Sequence, residues 1–172
     1  SNGMVNSASV KLLIQELAND FSYTQDAEAL CKRAEVRVQS SGWSDEMDLL
    51  ALGSALHNLY NAFEGYFMRV AKFFENNIDK QSWHRDLLDR MALEIPGIRP
   101  ALITTREVVE RIDELRRFRH VFRNLYKTRL HPAKVKIVLD AARGLSADFT
   151  GMHEGFMAWL GKLAEEMEGG ES

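Results

Sequence analysis

Residues 115–127, L-R-R-F-R-H-V-F-R-N-L-Y-K, hold the groups in this chain best suited to handling a phosphate. Wound at about 100° per residue, the stretch separates into two faces. Leu115, Phe118, Val121, Phe122 and Leu125 gather on one side, and Arg116, Arg119, His120, Arg123, Asn124, Tyr126 and Lys127 on the other. Arg119, Arg123 and Tyr126 stand nearly in line, because residues three and four apart are neighbours on a helix surface. A guanidinium presents a fork of donors that matches phosphate oxygens, and an imidazole moves protons near neutral pH. Together they form the kit for binding a phosphodiester and shifting protons around it.

Local charge supports that chemistry better than the average does. The formal net charge is −3, which argues against a protein that coats nucleic acid generally, yet residues 115–136 carry eight Lys or Arg and no Asp or Glu. Like charges four apart repel, and a tyrosine hydroxyl lies among them. The same face also fits an ordinary solvated helix surface, since Arg is a good helix former and needs no function there.

The elements that must position these residues read as helices. Pro96, Pro100 and Pro132 all fall between helical segments. A first helix is predicted over residues 9–39, with a break near Phe21 to Thr24, burying Leu13, Leu17, Leu30, Cys31, Ala34 and Val38. A second, capped by Ser44, runs to about Asn76 with Leu49, Leu52, Leu56, Leu59, Phe63, Phe67, Val70 and Phe74 as its apolar stripe. A short helix spans residues 83–93. A fourth, capped by Thr104 or Thr105, spans residues 106–127, and a fifth runs from Pro132 to about Glu166, with glycines such as Gly144, Gly151, Gly155 and Gly161 allowing kinks or close packing. No segment alternates at strand period. The expected fold is all-α: an antiparallel bundle of four long helices plus one short helix, a single domain over residues 4–168. Ser1, Asn2 and Gly3 ahead of Met4 read as an expression remnant.

Other chemistries find little support. No stretch reaches the roughly 18 apolar residues of a membrane span, and the start lacks a signal-peptide layout, so a cytoplasmic location is expected. Cys31 is the lone cysteine and reads as an inert core thiol. His84, His131 and His153 lack the spacing of metal ligands, so neither metal nor cofactor is expected. Phosphate loops and nucleophile elbows are absent from the sequence. On the second helix, His57, Asn61 and Glu64 form a narrow polar strip, and Glu64 is a candidate to pair with an arginine of the motif helix, either as a carboxylate that fixes Arg119 for chemistry or, structurally, as a salt bridge between packed helices or an exposed acid.

The segment R-H-V-F-R-N-L-Y, Arg119 to Tyr126, resembles the motif of the HEPN superfamily, and within it the HepT-like toxins of prokaryotic toxin–antitoxin pairs. The usual motif is Arg, often followed by Asn, then His four to six residues after the Arg, with a Tyr two beyond that His. Arg119 and Tyr126 occupy the outer positions here. The inner two are exchanged, with His120 after the arginine and Asn124 where the histidine would stand, one helical turn apart and able to share a patch. The stretches A-L-G-S-A-L-H-N-L-Y-N-A-F-E-G-Y-F, W-H-R-D-L-L and E-I-P-G-I-R-P extend the resemblance over about residues 49 to 131.

The resemblance implies a metal-independent endoribonuclease with a composite site at a homodimer interface. In that mechanism the RNA 2′-hydroxyl is the nucleophile. Arg119 would hold the scissile phosphate, His120 would be base or acid, and Asn124 would orient His120. Arg116, Arg123, Lys127 and Arg129 would track the RNA backbone. Tyr126 would be the residue that a nucleotidyltransferase antitoxin modifies with adenylate. An alternative is a non-catalytic HEPN module binding RNA, nucleotide or a nucleotidyltransferase partner. A third is a helical scaffold whose basic face docks an acidic protein surface.

Overall fold

The computed structural model describes residues 5–75, 83–125 and 127–170, with Trp83 described by its backbone alone. Among these residues six helices follow one another: α1 Ser7–Ser40, α2 Glu46–Phe74, α3 Trp83–Met91, α4 Arg106–Arg123, α5 Pro132–Ala142 and α6 Leu145–Gly170. Among the described residues there is no strand, only an isolated bridge between Ile95 and Arg99. The all-α bundle expected from periodicity is the fold observed.

Long-range polar pairs set the helix directions. Early α1 meets late α6 through Ser7 and Glu168, 2.9 Å apart, and further along, α1 meets the start of α6 through Glu28 and Ser146 at 2.8 Å. Likewise Arg69 on α2 holds Asp20 at 2.6 Å, while Arg37 reaches Asp48 at 3.4 Å. In each case one helix ascends as the other descends, so α1 runs antiparallel to both α2 and α6. Leu52, Leu56, Leu59, Phe63 and Phe67 of α2 lie buried among Leu13 and Leu17 of α1, Leu115 and Phe118 of α4, and Phe149 and Phe156 of α6. Burial of side chains of this size stabilises by roughly 1.5–3 kcal/mol each.

Several boundaries differ from the sequence reading, each for a local reason. α1 passes through Phe21 to Thr24 without a break: Thr24 is fully buried and its hydroxyl donates to the Phe21 carbonyl at 2.7 Å, so the polar residue is absorbed within the helix. Leu30 is exposed instead of buried, and the buried line is Val10, Leu13, Leu17, Thr24, Cys31 and Val38. The cap of α2 is Asp45, whose carboxylate accepts from the backbone of Met47 and Asp48 at 2.8 and 3.1 Å, whereas Ser44 donates back to Ser41. α2 ends at Phe74, and the predicted end at Asn76 lies outside the described residues. α3 stops at Met91, two residues short of the predicted Leu93. Thr105 caps α4.

The predicted fifth helix is two. Gly144 takes φ +67°, a left-handed conformation that a helix interior cannot hold, and separates α5 from α6. The buried Glu28 of α1 then accepts from both the backbone N–H and the hydroxyl of Ser146, at 3.0 and 2.8 Å, capping α6 from another helix. Gly151, Gly155 and Gly161 have open space where a Cβ would stand, so they serve no close packing. The close approach is at Gly53, where a Cβ would sit 2.9 Å from Leu130 and 3.4 Å from Phe122, so this glycine admits the end of α4 onto α2.

Candidate functional site

α4 is fixed by its apolar face. Val108, Val109, Ile112, Leu115 and Phe118 recur at helical spacing and are all buried, which turns the intervening polar residues toward α2, α3 and solvent. An open cleft of about 450 Å³ results, lined by Arg116, Arg119, His120, Arg123 and Asn124 of α4 and its end, and by His84 of α3. The five residues of residues 115–127 given phosphate and proton roles by sequence, apart from Lys127 and Tyr126, therefore do converge.

Their partners differ from those expected. Arg116 is neutralised: its Nε donates at 2.7 Å to Asp113, three residues back along the helix and just outside the acid-free stretch. Arg85 of α3 reaches the same carboxylate at 2.6 Å. Burial pulls the Asp113 carboxyl upward, but the hydrogen bonds and charges of Arg116 and Arg85 outweigh it and hold it below the ordinary range. Arg119 has no such relief. Its Nε is buried and finds no hydrogen-bond partner among the described residues. His120 and Arg123 are exposed.

The helix also ends earlier than predicted, and this changes Asn124. α4 stops at Arg123, and the Asn124 side-chain amide donates to the backbone carbonyl of His120 at 2.7 Å. It thus satisfies one of the last carbonyls of the helix, the end-of-helix role for which a short polar side chain is suited. Asn124 does not hold the His120 imidazole, as the sequence reading had it. Beyond it the chain leaves the helix, so Lys127 is exposed outside α4, and Arg129 lines a neighbouring cleft with Trp43 and Asp45. The basic stretch is therefore split between two surfaces. Tyr126 lies outside the described residues.

Glu64 ties two packed helices together by an ion pair, with a partner other than the arginine expected. It is mostly buried, with 13% of its side chain exposed, and it pairs with His84, whose Nδ1 lies 2.6 Å from Glu64 Oε2. Tyr60 donates its hydroxyl to the same oxygen at 2.5 Å. Burial and that carboxylate push the Tyr60 hydroxyl far up from its usual value, so it stays a donor at every ordinary pH. The expected pairing of Glu64 with Arg119 is not made. His84 enters the site through this contact. Nothing periodic in the sequence marks it, because Glu64 and His84 stand twenty residues apart on different helices.

The neighbouring histidine registers the field of the cleft. His57, hydrogen-bonded to Asn61 at 3.3 Å and stacked on Phe122 at 5.1 Å, is depressed below its ordinary value by burial first and then by the positive charges of Arg119 and Arg123. Among the described residues no three His, Cys, Asp or Glu side chains gather as metal ligands, and no helix is long and apolar enough to cross a membrane. Cys31 is buried, and burial together with Glu28 pushes its thiol up to about 12.

A family model described as HepT-like protein matches residues 51–160, well over half of the chain, and the chain belongs to that family. The match takes in Glu64, His84 and the whole of α4. No curated protein and no solved structure matches the chain.

Proposed function

We propose that this chain is a HepT-like toxin module that binds RNA across the α4 cleft and cleaves its backbone without metal. The observation carrying this reading is Arg119, whose guanidinium has a buried Nε without a partner in a cleft shared with His120 and Arg123. A buried donor left unmade costs about 1–3 kcal/mol, so the position is tolerable if an external acceptor completes it. A phosphate oxygen is such an acceptor, and Arg123 adds charge that draws a polyanion. His120, exposed beside them, is within the cleft where protons of the ribose and of the leaving oxygen would move.

The reading extends to partners. A second copy of the chain, docked so that the two clefts face one another, would bring a further Arg119 and His120 to the same phosphodiester. A nucleotidyltransferase antitoxin that adenylates Tyr126 would add negative charge to the basic stretch of the sequence and oppose RNA binding. The non-catalytic alternative, binding of RNA, nucleotide or that partner by the same face, is favoured by the engagement of Asn124 with its own helix, since that leaves His120 without the expected support.

The deciding experiment is cleavage of transfer and messenger RNA in EDTA by the wild-type protein, Arg119→Ala and His120→Ala, with helicity checked by circular dichroism. Cleavage lost in both folded variants supports the ribonuclease. Intact RNA, or cleavage equal in all three, leaves the binding module.

A further inference from the structure

We propose that His84, held by Glu64, is a second catalytic imidazole of this cleft and its general base. The inference rests on the ribonuclease reading and deepens it, because it names which group takes the proton from the nucleophile.

The geometry is that of a histidine with a fixed tautomer. An ionised carboxylate only accepts hydrogen bonds, so the Nδ1 that lies 2.6 Å from Glu64 Oε2 carries the hydrogen. In the neutral ring the lone pair is then on Nε2, the nitrogen not bonded to Glu64. A base must present that lone pair, and a carboxylate on the far side of the ring is the usual way to fix it. Tyr60 donates to the same oxygen, so the carboxylate is itself held from α2 while the ring it orients comes from α3. His84 keeps 30% of its side chain exposed and lines the cleft that also holds Arg119 and His120.

Two imidazoles in one cleft divide the two proton transfers of RNA cleavage. His84 Nε2 takes the proton of the 2′-hydroxyl as the 2′-oxygen bonds to phosphorus. The bond from phosphorus to the 5′-oxygen breaks, and protonated His120 supplies the proton that the 5′-oxygen needs. The products are a 2′,3′-cyclic phosphate and a free 5′-hydroxyl, and no other reactant is consumed. Glu64 and Tyr60 act through His84 and are positioning residues. The second imidazole thus comes from the same chain, in addition to the Arg119 and His120 that a second copy facing the cleft would bring.

Among the described residues, the charged and titratable groups that face His84 or share its cleft include Glu64 and Tyr60 on α2 and Arg116, Arg119, His120 and Arg123 on α4. Its own helix adds Arg85, which is occupied by Asp89 and Asp113.

The test is the pH–rate profile of RNA cleavage in EDTA for the wild-type protein, His84→Ala, Glu64→Gln and His120→Ala. Alongside it, affinity is measured for an RNA with 2′-deoxy sugars, which binds but offers no nucleophile. The wild type should give a bell. His84→Ala should lose about 10²–10⁴-fold in rate and its acid limb while binding the deoxy analogue as before. Glu64→Gln, which offers an amide donor where the carboxylate accepted, should lose a comparable amount by setting the wrong tautomer. His120→Ala should lose the alkaline limb. Cleavage by His84→Ala with both limbs intact overturns this inference and leaves the ribonuclease standing. A drop in thermal stability of His84→Ala with an unaltered bell does the same, since a contact that only ties α3 to α2 moves stability and nothing else. A wild-type protein that binds the RNA and never cuts it overturns both.

Discussion

Arg99 and Arg119 both bury guanidinium nitrogen, and they are treated in opposite ways. The Arg99 side chain is fully buried, yet its guanidinium is bonded to Glu75 at 3.1 Å and to the carbonyls of Leu93, Pro100 and Arg90, each also at 3.1 Å. It fastens the loop between α3 and α4, and the fold itself supplies every acceptor. Arg119 is only partly buried, and its Nε has no acceptor among the described residues. The contrast distinguishes a charge used to close the structure from one whose buried donor no described residue meets. Unsatisfied buried donors are rare in folded proteins, so their position carries information.

The contrast would break first at Arg99. Arg99→Ala leaves Glu75 buried without its main partner and should lower stability by about 3–5 kcal/mol, measured by urea unfolding. Arg119→Ala should change the same measurement by less than about 1 kcal/mol, because no hydrogen bond or ion pair of Arg119 is found among the described residues. If the two variants unfold alike, Arg119 is structural after all. The activity readout inverts the order. Arg119→Ala should cost on the order of 10²–10³-fold in RNA cleavage, and Arg119→Lys should restore little of it, since a single ammonium does not reproduce the guanidinium fork.

Asp113 sharpens the comparison from the acidic side. Asp113→Asn removes the carboxylate that holds Arg116 and Arg85 and should cost about 1.5–3 kcal/mol, while RNA affinity at low salt rises because Arg116 is no longer neutralised. A fall in affinity would mean that Asp113 positions Arg116 for the ligand.

The smallest expected effect is on pH. His153, bonded to Tyr66 at 2.7 Å, is depressed below its ordinary value by burial, and His57 by burial and the cleft arginines. A histidine depressed in the fold binds its proton more readily in the unfolded chain. Stability is therefore full above the unfolded value near 6.5 and declines as pH falls from there toward the lower folded values. The melting temperature should drop between pH 7 and pH 5, and His153→Phe should flatten that slope. The Asp113 contribution lies lower, in the carboxylate range, and does not confuse this window.

Much of this protein is written locally and was readable as such. The apolar residues of α2, from Leu49 to Val70, repeat at helical spacing, and that period by itself dictates a buried face and hence a bundle. The same logic separated Leu115 and Phe118 from Arg116, Arg119 and His120, so the candidate surface was legible from one window of sequence. Helix ends were less legible. Asn124 turning back on His120, Glu28 capping α6 and Asp45 displacing Ser44 are each decided by which acceptor lies nearest in space.

Sequence by itself determined that the chain is helical, where its basic face lies and that the face could hold a phosphate, because helical periodicity and side-chain chemistry act within a few residues. Only the tertiary structure decided that Asp113 silences Arg116, that Glu64 serves His84 and not Arg119, and that Arg119 keeps a buried donor unmet. Those are contacts between helices. Their outcome depends on how α2, α3 and α4 pack, which no short-range pattern encodes.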